Sequence, residues 1–185
     1  VYSPIVVSNI TSALSKVVVA LQINHTYDSD LLLQLISPDG TTNLLSASNG
    51  GAGQNYGISC SPDSLRTTFD DAAPTSISAG VPPWAGSYQP QQALSVFIGK
   101  SGTNINGTWL LHVVDQVAAD TGTLDCWSMF ITPAQCTDGG GQCPGADLAV
   151  VMSATPNPVV ASNLLTYSIS VTNNGPSSVR NVSLT

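Results

Sequence analysis

The chain has 185 residues, of which 42% are hydrophobic and 6% aromatic, which is enough apolar material for a packed core and excludes a wholly disordered chain. It carries four basic and eleven acidic residues, all of the latter Asp, for a net charge of −7. No basic cluster could neutralise several phosphates, so nucleic acid is excluded as a partner. The apolar runs are also far shorter than the ~20 residues that a membrane-spanning helix needs, so no transmembrane segment is expected.

Alternating apolar residues mark several short strands along the first two thirds of the chain. The spacing of two is that of a strand buried on one face, and no stretch keeps a helical period of 3.6. Segments rich in Gly, Pro, Asn and Asp separate these strands. The expected strands are Val17 to Ile23, Leu31 to Leu35, Leu94 to Ile98, Thr108 to Val114 and Leu124 to Ile131. Many short strands joined by such turns predict an all-β sandwich or jelly roll.

A glycine-rich stretch, residues 136–145, follows Pro133 and indicates a boundary between two units. Beyond it the alternation resumes at Leu148 and Val150 and again from Leu165 to Val171. A turn then leads to a further expected strand, Val179 to Leu184. Residues 146–185 thus supply only about three strands, fewer than an independent sandwich requires.

The four cysteines are even in number, lack CxxC spacing and have only two histidines to help them, so zinc is disfavoured and disulfides are expected. Four cysteines allow three connectivities. We favour Cys136 with Cys143, because the six residues between them include three glycines, which leaves Cys60 for Cys126. Disulfides in any of these connectivities imply an oxidising, extracytoplasmic compartment.

Five motifs in the first unit carry a family resemblance. The stretch from His25 to Leu31, with Thr26 and Tyr27 after the histidine, leads into a strand that ends in Ser37-Pro38-Asp39-Gly40-Thr41. The later blocks are Thr68 to Ala73, Pro83 to Pro90, Asn106 to Trp109 and Asp120 to Ser128. Over residues 1–132 the chain resembles the P/Homo B domain that follows the catalytic domain of subtilisin-like proprotein convertases.

This resemblance implies a galactose-binding-like jelly roll of about eight strands. Such domains lie beside subtilisin-like or metalloprotease domains and in other bacterial secreted proteins, where they support folding and stability and bring no catalytic residues. We therefore expect a first domain at residues 1–135 whose first strand precedes Val1, followed by a linker with its own disulfide at residues 136–145.

The second unit resembles a different family. Its blocks are Ala146 to Val150, Thr155 to Pro158, Leu165 to Tyr167 and Val171 to Pro176. They are similar to the opening of a repeat found in bacterial and archaeal surface proteins, which belongs with the cell-adhesion-related (CARDB-like) immunoglobulin-like modules. The resemblance implies that residues 146–185 are the N-terminal part of an immunoglobulin-like β-sandwich.

Neither histidine comes with the parts of a nucleophilic active site. A Ser or Cys nucleophile needs a His within hydrogen-bond reach that a third group orients. His25 belongs to the structural turn of the first motif, His112 is expected at a strand surface, and no GxSxG elbow is present. We therefore expect no catalytic residues in this chain.

The aromatic residues fall into a strand pair and a loop pair, and only the loop pair has two interpretations. Trp109 and Trp127 lie in strands and are expected in the core. Trp84 and Tyr88 lie in a Pro/Gly loop, where they either cover one end of the barrel or stack on a sugar. Carbohydrate binding at this loop is the less favoured of the two.

Six aspartates are candidate ligands of a calcium ion, because this hard cation needs several oxygens from converging loops. They are Asp28, Asp30, Asp70, Asp71, Asp115 and Asp120. The competing interpretation, of equal weight, is that these carboxylates form Asx turns and cap loop ends.

The expected function is a non-catalytic structural or stabilising module of a secreted or cell-surface prokaryotic protein, including a subunit of an extracellular filament. Its partners would be other domains of the same chain or neighbouring subunits, joined by β-strand pairing. Two alternatives stay open: the accessory P domain of a secreted subtilisin-like protease or metalloprotease, and an adhesive module that binds carbohydrate or protein.

Overall fold

The computed structural model of the chain describes residues 1–135, 148–158, 160–174 and 182–183. These residues form strands joined by turns and by short 3₁₀ helices, which confirms the predicted all-β class. The strands are β1 (Tyr2–Val7), β2 (Leu14–His25), β3 (Leu31–Ile36), β4 (Thr42–Ala47), β5 (Thr67–Phe69), β6 (Gly86–Tyr88), β7 (Gly107–Asp115), β8 (Gly122–Pro133), β9 (Leu148–Thr155) and β10 (Thr166–Asn173). The 3₁₀ helices are Asp28–Asp30, Asp63–Leu65, Ile77–Ala79, Leu94–Phe97 and Gly102–Asn104.

The first eight strands form two four-stranded sheets. One has the order β1-β7-β3-β4 and the other the order β6-β5-β2-β8. Neighbouring strands run antiparallel except β5 and β6, which are parallel. Strand β2 pairs along most of its length with β8, so the longest ladder joins the start of the domain to its end.

The core lies between these two sheets, and the inward residues are those that the alternation predicted. In β3, Leu31, Leu33 and Leu35 are buried while their neighbours are half-buried. From the other sheet β2 contributes Val17, Val19, Leu21 and Ile23. Each buried Leu, Ile or Val stabilises the fold by about 1.5–3 kcal/mol relative to exposure. The described residues therefore form a β-sandwich, and its jelly-roll connectivity stays a prediction.

The strand predicted from Leu94 to Ile98 was wrong, because this segment forms the 3₁₀ helix Leu94–Phe97. The Asp71 carboxylate accepts hydrogen bonds of 2.8 Å from the backbone N–H groups of Leu94 and of Ser95. Those donors are therefore not available to a β-ladder. Leu94 and Phe97 are both buried, and Phe97 packs edge-on against Trp109 at a ring-centroid distance of 5.0 Å.

Strands β9 and β10 form an antiparallel two-stranded sheet, in the two places where alternation resumes in the sequence. Cross-strand pairs such as Ile169 with Met152 and Val171 with Val150 put the apolar residues on one face, and these four side chains are all exposed. The third strand expected in this unit, Val179 to Leu184, lies outside the described residues except for Val182 and Ser183. The linker at residues 136–145 lies outside them too, and the domain boundaries stay predictions.

Within the described ranges no helix is long and apolar enough to cross a membrane.

Candidate functional site

Four strand ends meet at one end of the sandwich. Strand β2 ends at His25, β3 begins at Leu31, β7 ends at Asp115 and β8 begins at Gly122. The antiparallel registers place Leu31 opposite Asp115 in one sheet and His25 opposite Gly122 in the other. Apolar and ionisable side chains from both sheets are thereby brought to the same opening.

His25 is the central polar residue of this end, and its side chain is only 1% exposed. Its Nδ1 lies 3.0 Å from the Tyr27 carbonyl oxygen and 3.2 Å from the Tyr27 backbone nitrogen, which fixes the ring against the turn. Its Nε2 lies 3.4 Å from Asp115 Oδ2 but has no hydrogen-bond partner. A buried ring nitrogen without a partner is uncommon in folded proteins and marks a place that a ligand group can complete.

Two adjoining cavities open beside His25. The first, of about 300 Å³, lies between the sheets. Its walls include the apolar residues Ile23, Leu31, Val113 and Leu124 together with the carboxylates of Asp115 and Asp120. The second, of about 450 Å³, is a polar trough that includes Asn24, Thr26, Gln54 and Asn55. The two cavities share His25 and residues 121–123.

Asp28 lies behind this site as a buried carboxylate. It has no exposed surface, and neither of its oxygens has a hydrogen-bond partner. Burial raises the pKa of Asp28 to about 6. The Asn55 backbone N–H, which approaches the carboxylate without completing a hydrogen bond, and the His25 ring lower this pKa by less. The residue therefore ionises with difficulty in the folded protein.

The other candidate calcium ligands are engaged with protein groups in different places. Asp70 pairs with Lys16 at 2.7 Å and accepts a 2.9 Å bond from the Ala72 N–H, whereas Asp71 caps the 3₁₀ helix at Leu94. Asp120 accepts a 2.7 Å hydrogen bond from the Thr26 hydroxyl group. The structure thus brings Asp115 and Asp120 to the same cavity but does not gather the six carboxylates. No group of three or more His, Cys or Asp side chains in the part of the chain that the structure describes is arranged to hold a metal.

The interpretation of Trp84 as an exposed ligand platform was wrong. Trp84 is 1% exposed and packs on Tyr56 with their ring centroids 4.4 Å apart. Its backbone lies in the left-handed region at φ 43°, and its carbonyl oxygen accepts a 3.0 Å hydrogen bond from the Thr67 hydroxyl group. Tyr88 is half-buried against the same core. The loop therefore turns its tryptophan inward, as a cover of the barrel would.

A disulfide joins Cys60 to Cys126, the pair that the sequence analysis favoured for these two residues, with their Cα atoms 6.0 Å apart. It links the loop before β5 to the middle of β8. The other predicted pair, Cys136 and Cys143, lies outside the described residues.

Sequence reasoning placed His25 in a structural turn but missed Gly122, Asn55 and the apolar wall of the cavity. One signal was present, because an isolated glycine at the start of a strand indicates a close approach of another group. A Cβ at Gly122 would lie 2.5 Å from His25 Cδ2. Only a residue without a side chain fits beside this ring.

Comparison with known proteins links this fold to a family. Residues 14–76 match the family model of the proprotein convertase P-domain. The chain is 30% identical over 129 residues to a transglutaminase-activating metalloprotease of Streptomyces mobaraensis. It is 29% identical over 130 residues to leupeptin-inactivating enzyme 1 of Streptomyces exfoliatus. Each match covers 70% of this chain but only 12% and 22% of the respective relatives.

Proposed function

We propose, on the premise that residues 14–76 belong to the proprotein convertase P-domain family, that the chain is a non-catalytic accessory module of a larger extracytoplasmic protease. The observation that carries this proposal is that both relatives are named as a protease or an inactivating enzyme, while the match spans a small part of each. The comparisons thus favour the accessory-domain alternative over a filament subunit, for which they offer no support.

The surroundings of the two histidines support a non-catalytic role. His25 is fixed to the Tyr27 backbone, and His112 stacks on Tyr2 at 4.0 Å with its Nδ1 3.1 Å from Gln34 Oε1. Neither ring has a hydrogen bond to a serine or cysteine among the described residues. Covalent catalysis by a serine or cysteine that a histidine activates requires such a hydrogen bond.

The Cys60–Cys126 disulfide supports the extracytoplasmic part of the proposal. Disulfides persist in oxidising compartments and are rare in the cytosol.

The test uses the full-length polypeptide that contains this chain. Trp109→Ala removes a fully buried core side chain and should destabilise the module by about 3–5 kcal/mol, whereas Val81→Ala changes an exposed residue and serves as the matched control. We expect Trp109→Ala to lower the secreted yield and the temperature of inactivation, with the kcat/KM of the surviving protease on a short peptide unchanged. A full-length protein without any protease domain, or peptidase activity of residues 1–185 alone, would overturn the proposal.

A calcium ion at the predicted aspartates also remains a proposal. The residues best placed for it are Asp115 and Asp120, which share one cavity. The test measures the melting temperature of the purified chain in CaCl2 and again after EGTA is added. A ligand that binds only the folded state raises the melting temperature, so bound calcium predicts a rise in CaCl2 that EGTA reverses. An unchanged melting temperature would contradict a calcium site.

A further inference from the structure

The end of the sandwich around His25 carries the carboxylates of Asp115 and Asp120, and no lysine or arginine among the described residues lies beside them. The Val1 ammonium group also lines the first cavity, where it donates a 2.6 Å hydrogen bond to the Val113 carbonyl oxygen. The lysines and arginine within residues 1–135 are each engaged with an aspartate elsewhere: Lys16 with Asp70, Arg66 with Asp63 and Lys100 with Asp39. None of them lines either of the two adjoining cavities. Asp115 and Asp120 therefore face the first cavity with no lysine or arginine beside them.

The first cavity combines these carboxylates with a deep apolar wall. Ile23 and Leu31 are each 2% exposed and form its floor, while Asp115, which is exposed, stands at its rim. A side chain with an aliphatic stem and a cationic head matches this arrangement, since lysine and arginine place their stems on apolar surface and keep the charge at the polar edge. Calcium at Asp115 and Asp120 is the competing occupant of this cavity, but calcium binds oxygen ligands and would make no contact that requires the apolar wall.

His25 adds a second polar group, its unpartnered Nε2. When Nδ1 accepts from the Tyr27 N–H at 3.2 Å, Nε2 carries the proton, whereas when Nδ1–H donates to the Tyr27 carbonyl oxygen at 3.0 Å, Nε2 presents a lone pair toward Asp115. A cationic guest, which only donates, selects the second tautomer. Nε2 and Asp115 Oδ2 are 3.4 Å apart, so one cationic group with several N–H donors can bond to both. Such a group would satisfy the buried nitrogen that the protein leaves open.

The second cavity points to a polypeptide rather than a free amine. It continues from the first through His25 and residues 121–123, and its walls include Asn24, Gln54 and Asn55. Asn24 already bonds to Gln22 and Asp125, and Asn55 Oδ1 accepts from the His25 N–H, which leaves the Gln54 amide and the Asn55 Nδ2 group for a ligand. Side-chain amides both donate and accept hydrogen bonds, which suits a peptide backbone. An extended segment can thus lie along the trough with one long side chain in the apolar cavity.

We propose that this end of the P domain binds a lysine or arginine side chain of a neighbouring polypeptide segment. The aliphatic stem would lie on Ile23 and Leu31, and the cationic head would bond to Asp115, Asp120 and His25 Nε2. This recognition does not depend on whether the parent protein is a protease, so it stands or falls separately from the proposed function.

The experiment titrates the chain with short blocked peptides that differ only at the central residue: Lys, Arg, acetyl-lysine, norleucine and Glu. Methyl signals of Ile23, Leu31, Val113 and Leu124 are followed by NMR. We expect the Lys and Arg peptides to shift these methyl signals, and added salt to weaken the binding. The acetyl-lysine, norleucine and Glu peptides should not shift them, and this series needs no variant protein.

A variant pair gives the second readout. Asp115→Asn combined with Asp120→Asn should weaken Lys-peptide binding by about tenfold or more, since hydrogen bonds to charged groups contribute about 1.5–3 kcal/mol. Asp63→Asn, which changes an exposed aspartate paired with Arg66, is the matched control and should bind as the parent does. Equal shifts with norleucine and Lys peptides, binding of butylamine without binding of the Lys peptide, or saturation of the same carboxylates by calcium instead would each overturn the proposal.

Discussion

Gly122 faces His25 across the β2–β8 ladder, so closely that a Cβ on Gly122 would lie 2.5 Å from His25 Cδ2 and closer still to the Asn24 carbonyl oxygen. Real Cβ atoms essentially never come so near, and one of the two neighbours is backbone. Because Gly122 has no side chain, the His25 ring can lie against β8 between the two cavities.

We predict that Gly122→Ala destabilises the protein by about 1–3 kcal/mol, because overpacking forces the ring and the strand apart. Thr121→Ala, an exposed neighbour, should change the free energy of unfolding by no more than about 0.5 kcal/mol. Urea unfolding of both variants measures the difference. Equal stabilities for the two would show that β8 accommodates the methyl group without displacing His25.

Local patterns predicted most strands, but not the residues whose placement depends on distant partners. The alternation from Val17 to Ile23 and from Leu31 to Leu35 is a property of neighbouring residues and correctly gave β2 and β3. The helix at Leu94 depends on the carboxylate of Asp71, and the inward turn of Trp84 depends on Thr67 and Tyr56. A pattern along one stretch of chain carries no information on such contacts.

The site was predicted least, for the same reason. His25 and Gly122 become neighbours only through the pairing of β2 with β8, and Asp115 joins them through the other sheet. The sequence alone could single out the aspartates as oxygen ligands but not separate Asp71, which caps a helix, from Asp115, which faces a cavity. Their chemistry is the same, and only the tertiary contacts differ.

The Cys60–Cys126 disulfide should contribute substantially to stability. It closes a loop with a sequence separation of 66 residues. For a loop of this size the chain-entropy treatment gives about 4 kcal/mol at 25 °C. We predict that the free energy of unfolding of the double variant Cys60→Ala, Cys126→Ala is lower than that of the parent by about 4 kcal/mol. Urea unfolding of both proteins without reductant measures this difference. A loss below about 1 kcal/mol would mean that the unfolded chain is already compact in this region.

Asp28 should make the protein less stable as the pH rises from about 4 to about 6. Burial raises its pKa to about 6 in the folded state, from 3.8 in the unfolded chain, so the folded state holds the extra proton within this window. Below about pH 4 both states hold the Asp28 proton, and Asp28 does not reduce the free energy of unfolding. That free energy falls as the pH rises toward about 6, and the loss is complete above the folded pKa. The shift corresponds to roughly 3 kcal/mol, at about 1.4 kcal/mol for each pH unit.

Asp28→Asn removes this titration. We therefore expect the stability of the variant relative to the parent protein to increase between pH 4.5 and pH 7, as measured by thermal unfolding across a pH series. Ser29→Ala, next to Asp28, removes no carboxyl group and is the comparison variant, so it should show no such trend. If the stability difference between the Asp28→Asn variant and the parent stays constant across the series, Asp28 does not hold a proton in the folded state.

The β9–β10 sheet should associate through its uncovered apolar face. Neither strand contains a charged residue, although charges commonly protect an exposed edge or face. We predict that the 185-residue chain self-associates with rising concentration, and that Ile169→Lys, on the apolar face, prevents this association in analytical ultracentrifugation. Ser170→Lys, on the opposite face, is the control and should leave it unchanged. A monomer at every concentration, with slow amide exchange from Leu164 to Val171, would contradict this prediction.

The disulfide also decides how the domain responds to mechanical force. A load applied to the chain beyond Pro133 acts first on the end of β8 that pairs with Leu14 of β2. Peeling of β8 can free the residues between Pro133 and Cys126, but at Cys126 the strand is tied covalently to Cys60. The residues enclosed by that bond cannot extend under tension, so even a fully unravelled domain would lengthen by much less than its number of residues suggests. A single-molecule trace would show this as a rupture step that becomes longer when the bond is reduced.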